Sequence, residues 1–154
     1  MSHPRSQSSS EKARFYFNIN MSWQQYIDGN LVGTGQVQHA AIIGLDGNIW
    51  ATSAGFTIDQ PEGAALASHF KDGAAKAMAS GIHVNKVKYM FIKKDELLSG
   101  EDYRLLIGKK GPTGVSIYKS DTAMVIGVYG EGVQPGACNN VVTTLGAYLV
   151  SVGY

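Results

Sequence analysis

The sequence predicts an α+β domain with an antiparallel sheet, and three observations carry that prediction. Charged residues make up only 16% of the 154-residue chain while glycine contributes 19 residues, a balance that favours a turn-rich sheet protein. Two apolar runs are joined by Gly44-Leu45-Asp46-Gly47, which holds the Asp-Gly signal of a tight hairpin. Further β-rich runs follow one another through short turn sequences, and links that short join antiparallel neighbours. A chain of this length fits one domain with an ordinary core and needs no metal or disulfide support.

Residues 1–14 set Ser2, Ser6, Ser8, Ser9 and Ser10 among His3, Pro4 and Arg5 without apolar periodicity, which predicts disorder. A transit peptide needs an apolar face, and none appears before Phe15-Tyr16-Phe17. The expectation is a disordered or non-native extension over 1–20 and a folded domain over 21–154, starting at Met21 or Ser22. Trp23, Tyr26, Ile27 and Leu31 recur at spacings of three and four, predicting a first helix with one apolar face. Gln36–Ile43 and Asn48–Ser53 read as the strands of the hairpin, with Trp50 on a strand expected to be central. Pro61 and Glu62 open a helix expected over 61–79, apolar at Ala64, Leu66, Ala67, Phe70, Ala74 and Met78 and ended by Gly81. Strands follow at Val87–Ile92, Tyr103–Ile107, Val115–Tyr118 and Ala123–Tyr129. Pro135-Gly136 then introduces a last helix, in which Ala137, Val141, Leu145, Leu149 and Val152 repeat the helical spacing. With the first and last helices side by side, Trp23, Tyr26, Tyr148 and Tyr154 meet in an aromatic surface of the kind that binds extended proline-rich chains.

The net charge of +1 is unevenly spread. Residues 86–119 carry eight lysines and arginines against four acids, a local excess of four positive charges. Such a segment attracts an acidic protein face or anionic lipid headgroups, or simply places solvated lysines on sheet edges. Chemistry-bearing motifs are missing. His3, His39, His69 and His83 lie far apart, and Cys138 has no second cysteine for a metal site or disulfide. Gly33-Thr34-Gly35 lacks the third glycine of a dinucleotide loop, and Gly108-Lys-Lys-Gly-Pro-Thr-Gly114 lacks the Gly-Lys-Ser/Thr order of a phosphate loop. There is no Gly-x-Ser-x-Gly elbow, and Cys138 has no neighbouring base in sequence, so it reads as a packed structural cysteine rather than the nucleophile of a small hydrolase. The expectation is a non-enzyme without cofactors or nucleic-acid partners. One cysteine fits a reducing compartment, and no apolar run approaches the roughly 20 residues of a membrane span, which together suggest a cytoplasmic protein.

Four ordered blocks carry a resemblance. They are Met21-Ser-Trp23-Gln-Gln-Tyr26-Ile-Asp28, Ala41-Ile-Ile-Gly-Leu-Asp-Gly-Asn-Ile-Trp50-Ala51, Gly108-Lys-Lys-Gly111, and Gly127-Val-Tyr129 followed by Gln134-Pro-Gly-Ala-Cys-Asn-Asn-Val-Val142. From Ser22 to Tyr154 the chain resembles profilin, the family of small actin-monomer-binding proteins, most closely its amoeboid and plant forms. The resemblance implies a central antiparallel sheet of about six to seven strands, the terminal helices on one face and the middle helix on the other. It implies a proline-binding groove lined by Trp23, Tyr26, Trp50, Tyr148 and Tyr154, with formins among the partners. It implies an actin face drawn from Lys88, Lys109, Lys110, Lys119, Gln134, Gly136, Asn139, Asn140 and Thr143, whose lysines also suit phosphatidylinositol bisphosphate. Thr143 and Thr144 stand where many profilins carry charge, which points to modest actin affinity. The implied role is regulation of actin polymerisation and nucleotide exchange in the cytoskeleton. Lys93 to Asp102 is several residues longer than the turn expected there, which raises the alternative of a polyproline-binding adaptor with weak or lost actin binding.

Overall fold

The computed structural model of the protein describes residues 22–98 and 102–154. The extension expected over 1–20, and Met21 as a candidate start, lie outside the described residues. Seven strands form one sheet: β1 His39–Gly44, β2 Ile49–Thr52, β3 Ile82–Val84, β4 Val87–Leu98, β5 Asp102–Lys110, β6 Thr113–Lys119 and β7 Ala123–Tyr129. Their order is β2-β1-β7-β6-β5-β4-β3, and every pairing is antiparallel. The expected α+β class and antiparallel sheet are both present.

Alternation along the strands builds two cores, one on each face of the sheet. Ala40 and Ile42 of β1, Leu105 and Ile107 of β5, Tyr118 of β6, and Ala123, Val125 and Tyr129 of β7 point to one side. There they meet Ile27 and Leu31 from the start of the chain and Cys138, Val142, Leu145 and Leu149 from its end. Ala41, Ile43, Leu106, Val115, Ile117, Met124, Ile126 and Val128 point to the other side, against Leu66, Ala67 and Ala77 of the middle helices. β7 is buried at every position because both faces are covered.

The terminal helices share the first face, as expected. The last, α4, runs Pro135–Ser151 with Pro135 in its first turn. It lies close on the sheet at Gly146, where a Cβ would stand 2.1 Å from Cδ1 of Tyr118. The first helix, α1, departs from the expected regular winding. It is α-helical over Trp23–Gln25, π-helical over Tyr26–Leu31 and 3₁₀ over Val32–Thr34. Ser22 closes its N-terminus with a reciprocal capping box to Gln25. The wider π turn brings Tyr26, Ile27 and Leu31 into the core together while leaving Trp23 half exposed.

Three other expectations change. The helix expected over 61–79 is two, α2 Gln60–Ser68 and α3 Ala75–Ser80. Gly73 and Ala74 are both left-handed at φ 67°, which no continuous right-handed helix accommodates. β3 is absent from the sequence reading because three residues give no measurable alternation. Its turn uses Asn85 and Lys86 at positive φ, held by the Glu62 carboxylate accepting both backbone N–H groups at 2.6 and 2.8 Å. Trp50 lies on β2, an edge strand rather than a central one. The long segment after Lys93 does extend a hairpin, with backbone pairing that continues to Leu98 opposite Asp102.

Candidate functional site

The side chains of Trp23, Trp50 and Tyr154 line a shallow apolar pocket of about 330 Å³. Ring centroids are 4.8 Å apart for Trp23 and Trp50, 5.1 Å for Trp23 and Tyr154, and 6.2 Å for Trp50 and Tyr154. The contacts are tilted or edge-to-face, so ring faces remain open to a ligand. Three separate elements supply them. Trp23 starts α1, Trp50 comes from the edge strand, and Tyr154 is held by the turn between β6 and β7, where the Tyr154 carbonyl accepts from Ser120 Oγ at 2.9 Å and Thr122 Oγ1 at 2.8 Å. The Tyr154 N–H donates to the Leu149 carbonyl at 2.8 Å. The backbone of Tyr154 is therefore held in place although 45% of the residue is exposed.

Tyr26 and Tyr148 belong to the layer beneath. Both are buried, and their side chains hydrogen-bond to each other. Burial, reinforced by the Tyr148 phenol, pushes the Tyr26 hydroxyl up to about 12. The Tyr26 ring stands 5.7 Å from that of Trp23 and supports the pocket from below.

At the other edge of the sheet, Lys88, Lys109 and Lys110 line a cleft of about 430 Å³ with Met78 and Met90, exposed by 55% and 68%. Met90 was not anticipated, and Met78, expected among the apolar positions of the middle helix, stands exposed instead. Met90 shares the strand parity of Lys88 and pairs directly with Lys109, so alternation along β4 held the signal. Lys119 does not join this cleft. It ends β6 at the far side of the strand from Thr113, which pairs with Lys110. Its ammonium donates to the Ser120 carbonyl at 3.3 Å, close to the clamp that holds Tyr154. Gln134, Gly136 and Asn140 are exposed at the start of α4, and Thr143 is half-buried. Asn139 turns inward, its Oδ1 accepting from Ser116 Oγ, and so ties α4 to β6.

Cys138 is fully buried between α4 and the sheet, where its thiol donates to the Gly127 carbonyl at 3.7 Å. Burial pushes the thiol up to about 11, far from the range of a nucleophile. Among the described residues, no group of three His, Cys, Asp or Glu side chains is placed to hold a metal ion, and no helix is long and apolar enough to cross a membrane.

An aromatic pocket towards one edge of the sheet and a basic cleft towards the other give a small α+β domain two separate candidate surfaces. The chain belongs to the profilin family, whose family model matches residues 21–154. Profilin-2 of Acanthamoeba castellanii is 48% identical over 134 residues, covering 87% of this chain and 100% of the relative. Profilin-P of Physarum polycephalum is also 48% identical with the same coverage. The crystal structure of Acanthamoeba castellanii profilin II superposes with a TM-score of 0.78 at 48% identity, covering 86% of this chain and 100% of that one. Mouse profilin IIa, solved in complex with a double repeat from the FH1 domain of mDia1, shares the fold at a TM-score of 0.69 and 23% identity, with coverage of 87% and 100%. Profilins are non-enzymatic actin-binding proteins.

Proposed function

We propose that the protein binds actin monomers through the basic cleft and the start of α4, and proline-rich segments such as those of formins through the aromatic pocket. On this reading it regulates polymerisation, and nucleotide exchange on the actin monomer, as a bivalent adaptor that does no chemistry itself. The observation that carries the second contact is the open arrangement of Trp23, Trp50 and Tyr154. A polyproline II helix is preformed and loses little entropy on docking. Flat ring faces pack on its pyrrolidines while indole N–H and phenol O–H groups donate to its carbonyls. The FH1 contact belongs to the mouse protein, whose identity to this chain is low, so the support here comes from this chain's own rings.

Lys88, Lys109 and Lys110 supply charge for actin's acidic surface, and Gln134, Gly136, Asn140 and Thr143 supply the polar rim. Asn139 contributes by holding α4 on β6. Lys119, at the other end of β6, stands outside the core of the interface. The same three lysines suit phosphatidylinositol bisphosphate, which makes lipid and actin competitors. The alternative reading, a proline-binding adaptor with weak or lost actin binding, drew on the long β4–β5 hairpin. Met90 lies in the cleft and Leu98 is eight residues further along β4, roughly 25 Å away. That separation favours an unobstructed actin face.

Fluorescence titration with a proline decamer, run beside titration with actin monomer, tests both contacts. Saturable binding of each is expected. Decamer binding without actin binding selects the adaptor alternative, and absence of both overturns the proposal.

A further inference from the structure

Met78, Met90 and Met124 lie in very different surroundings. Met124 of β7 is fully buried in the second core. Met78 of α3 and Met90 of β4 are both more than half exposed, and both line the basic cleft with Lys88, Lys109 and Lys110. Their positions explain the exposure. Tyr89 and Phe91 pack on the second core, so strand alternation turns Met90 to the opposite face, where α4 lies chiefly on β6 and β7. Ala77 is the buried residue of α3, and one helical step of about 100° turns Met78 away from the core.

An exposed thioether is open to a dissolved hydroperoxide, and susceptibility follows exposure. The sulfur lone pair forms an S–O bond to one peroxide oxygen while the O–O bond breaks. The other oxygen leaves with the electron pair of that bond, takes up the proton of the first, and departs as water when the oxidant is hydrogen peroxide. Sulfur is oxidised by two electrons and the peroxide is reduced by two. Cys138 is no rival for the oxidant, because it is fully buried and burial holds it as the thiol. The product changes the character of the cleft. A flexible apolar side chain that moulds itself to a partner's surface becomes a polar one. Its new oxygen accepts hydrogen bonds, in a cleft already lined by three ammonium donors.

We propose that Met78 and Met90 form a reversible oxidation site, where a hydroperoxide converts both thioethers to sulfoxides and loosens the hold of the cleft on its protein partner. The oxidation itself stands on exposure and sulfur chemistry. Its consequence for actin rests on the reading of the cleft given above. Methionine sulfoxide reductases, one for each sulfoxide epimer, return the thioethers and with them the hold.

The test treats the full chain with hydrogen peroxide, removes the peroxide, maps oxidation by peptide mass and then titrates actin monomer. Met78 and Met90 are expected to oxidise at least about tenfold faster than Met124, and the Kd for actin to rise about fivefold to tenfold. Treatment with both reductases is expected to restore the starting Kd. The double variant Met78→Leu with Met90→Leu, compared with its own untreated form, is expected to show no comparable rise, although it keeps Met1, Met21 and Met124. Equal oxidation of the three mapped methionines overturns the site. Selective oxidation with an unchanged Kd, or an equal rise in the double variant, overturns the switch. A rise that persists after the reductases have returned both masses assigns the loss to other damage and overturns it too. Selective oxidation in a chain that binds no actin even before treatment upholds the oxidation site and removes the actin reading instead.

Discussion

Trp23 lies against Tyr26, Trp50 and Tyr154 at centroid distances of 5.7, 4.8 and 5.1 Å, which makes it the keystone of the aromatic pocket. Trp23→Ala is expected to weaken binding of a proline decamer by roughly 2 kcal/mol or more, as at an aromatic hot spot, and to leave actin affinity near its native value. Calorimetric titration of both ligands checks this, and equal loss of the two would point to unfolding instead. Tyr26 and Cys138 make a prediction about pH. Their folded-state values, about 12 and about 11, lie above the ordinary 10.0 and 9.0, so the folded form holds its protons longer than the unfolded chain. Their contribution is complete below about pH 9 and is lost as pH rises toward 12. Melting temperatures measured from pH 8 to 12 are expected to fall, and Tyr26→Phe to flatten the part above pH 10. Individual aromatics and lysines were legible because side-chain chemistry is written in the sequence. The clamp of Ser120 and Thr122 on the Tyr154 carbonyl was not, since it joins residues more than 30 positions apart.

Helix α4 serves both surfaces, and its distance from the sheet is set by one missing side chain. Gly146→Ala would drive a methyl group into the Tyr118 ring, and a loss of about 1–3 kcal/mol in urea unfolding is expected as the helix shifts outward. The β5–β6 hairpin is tested by charge. Lys109→Glu with Lys110→Glu is expected to lower actin binding and the binding of vesicles containing phosphatidylinositol bisphosphate together. Unchanged actin affinity would move the interface elsewhere. Elements with clear signals were readable, namely the Gly44–Gly47 hairpin, the strands of the meander and the Pro135 helix. Those that failed did so for local backbone reasons. Paired left-handed residues at Gly73 and Ala74 divide a helix that apolar spacing alone would continue, and the π turn at Tyr26–Leu31 has no spacing signature of its own in so short a segment.

The two surfaces occupy opposite edges of the whole molecule. β2 carries Trp50 and β4 carries Lys88, and five strand spacings separate them, roughly 24 Å. Ligands at the two sites should not exclude each other. A ternary complex of actin, protein and proline decamer is expected in sedimentation, with decamer affinity changed less than twofold by saturating actin. Mutual exclusion would place the sites nearer than the sheet order allows. At this scale the class of fold was legible from element order, and the pocket from the pairing of the chain's two ends. The depth of Tyr26 and Tyr148, and the separation of Lys119 from Lys109, depend on the three-dimensional course of the chain.

The contact between Trp23 and Tyr154 also says something about the topology of the polypeptide. Among the described residues, a segment from Ser22 to Tyr154 whose first helical residue touches the ring of Tyr154 has its two ends almost together in space. With residues 1–21 removed, a short glycine linker from Tyr154 to Ser22 would close the segment into a circle. The exposed turn at Gly111-Pro112 offers a place to reopen it, giving a permuted protein in which the aromatic pocket is spanned by continuous backbone.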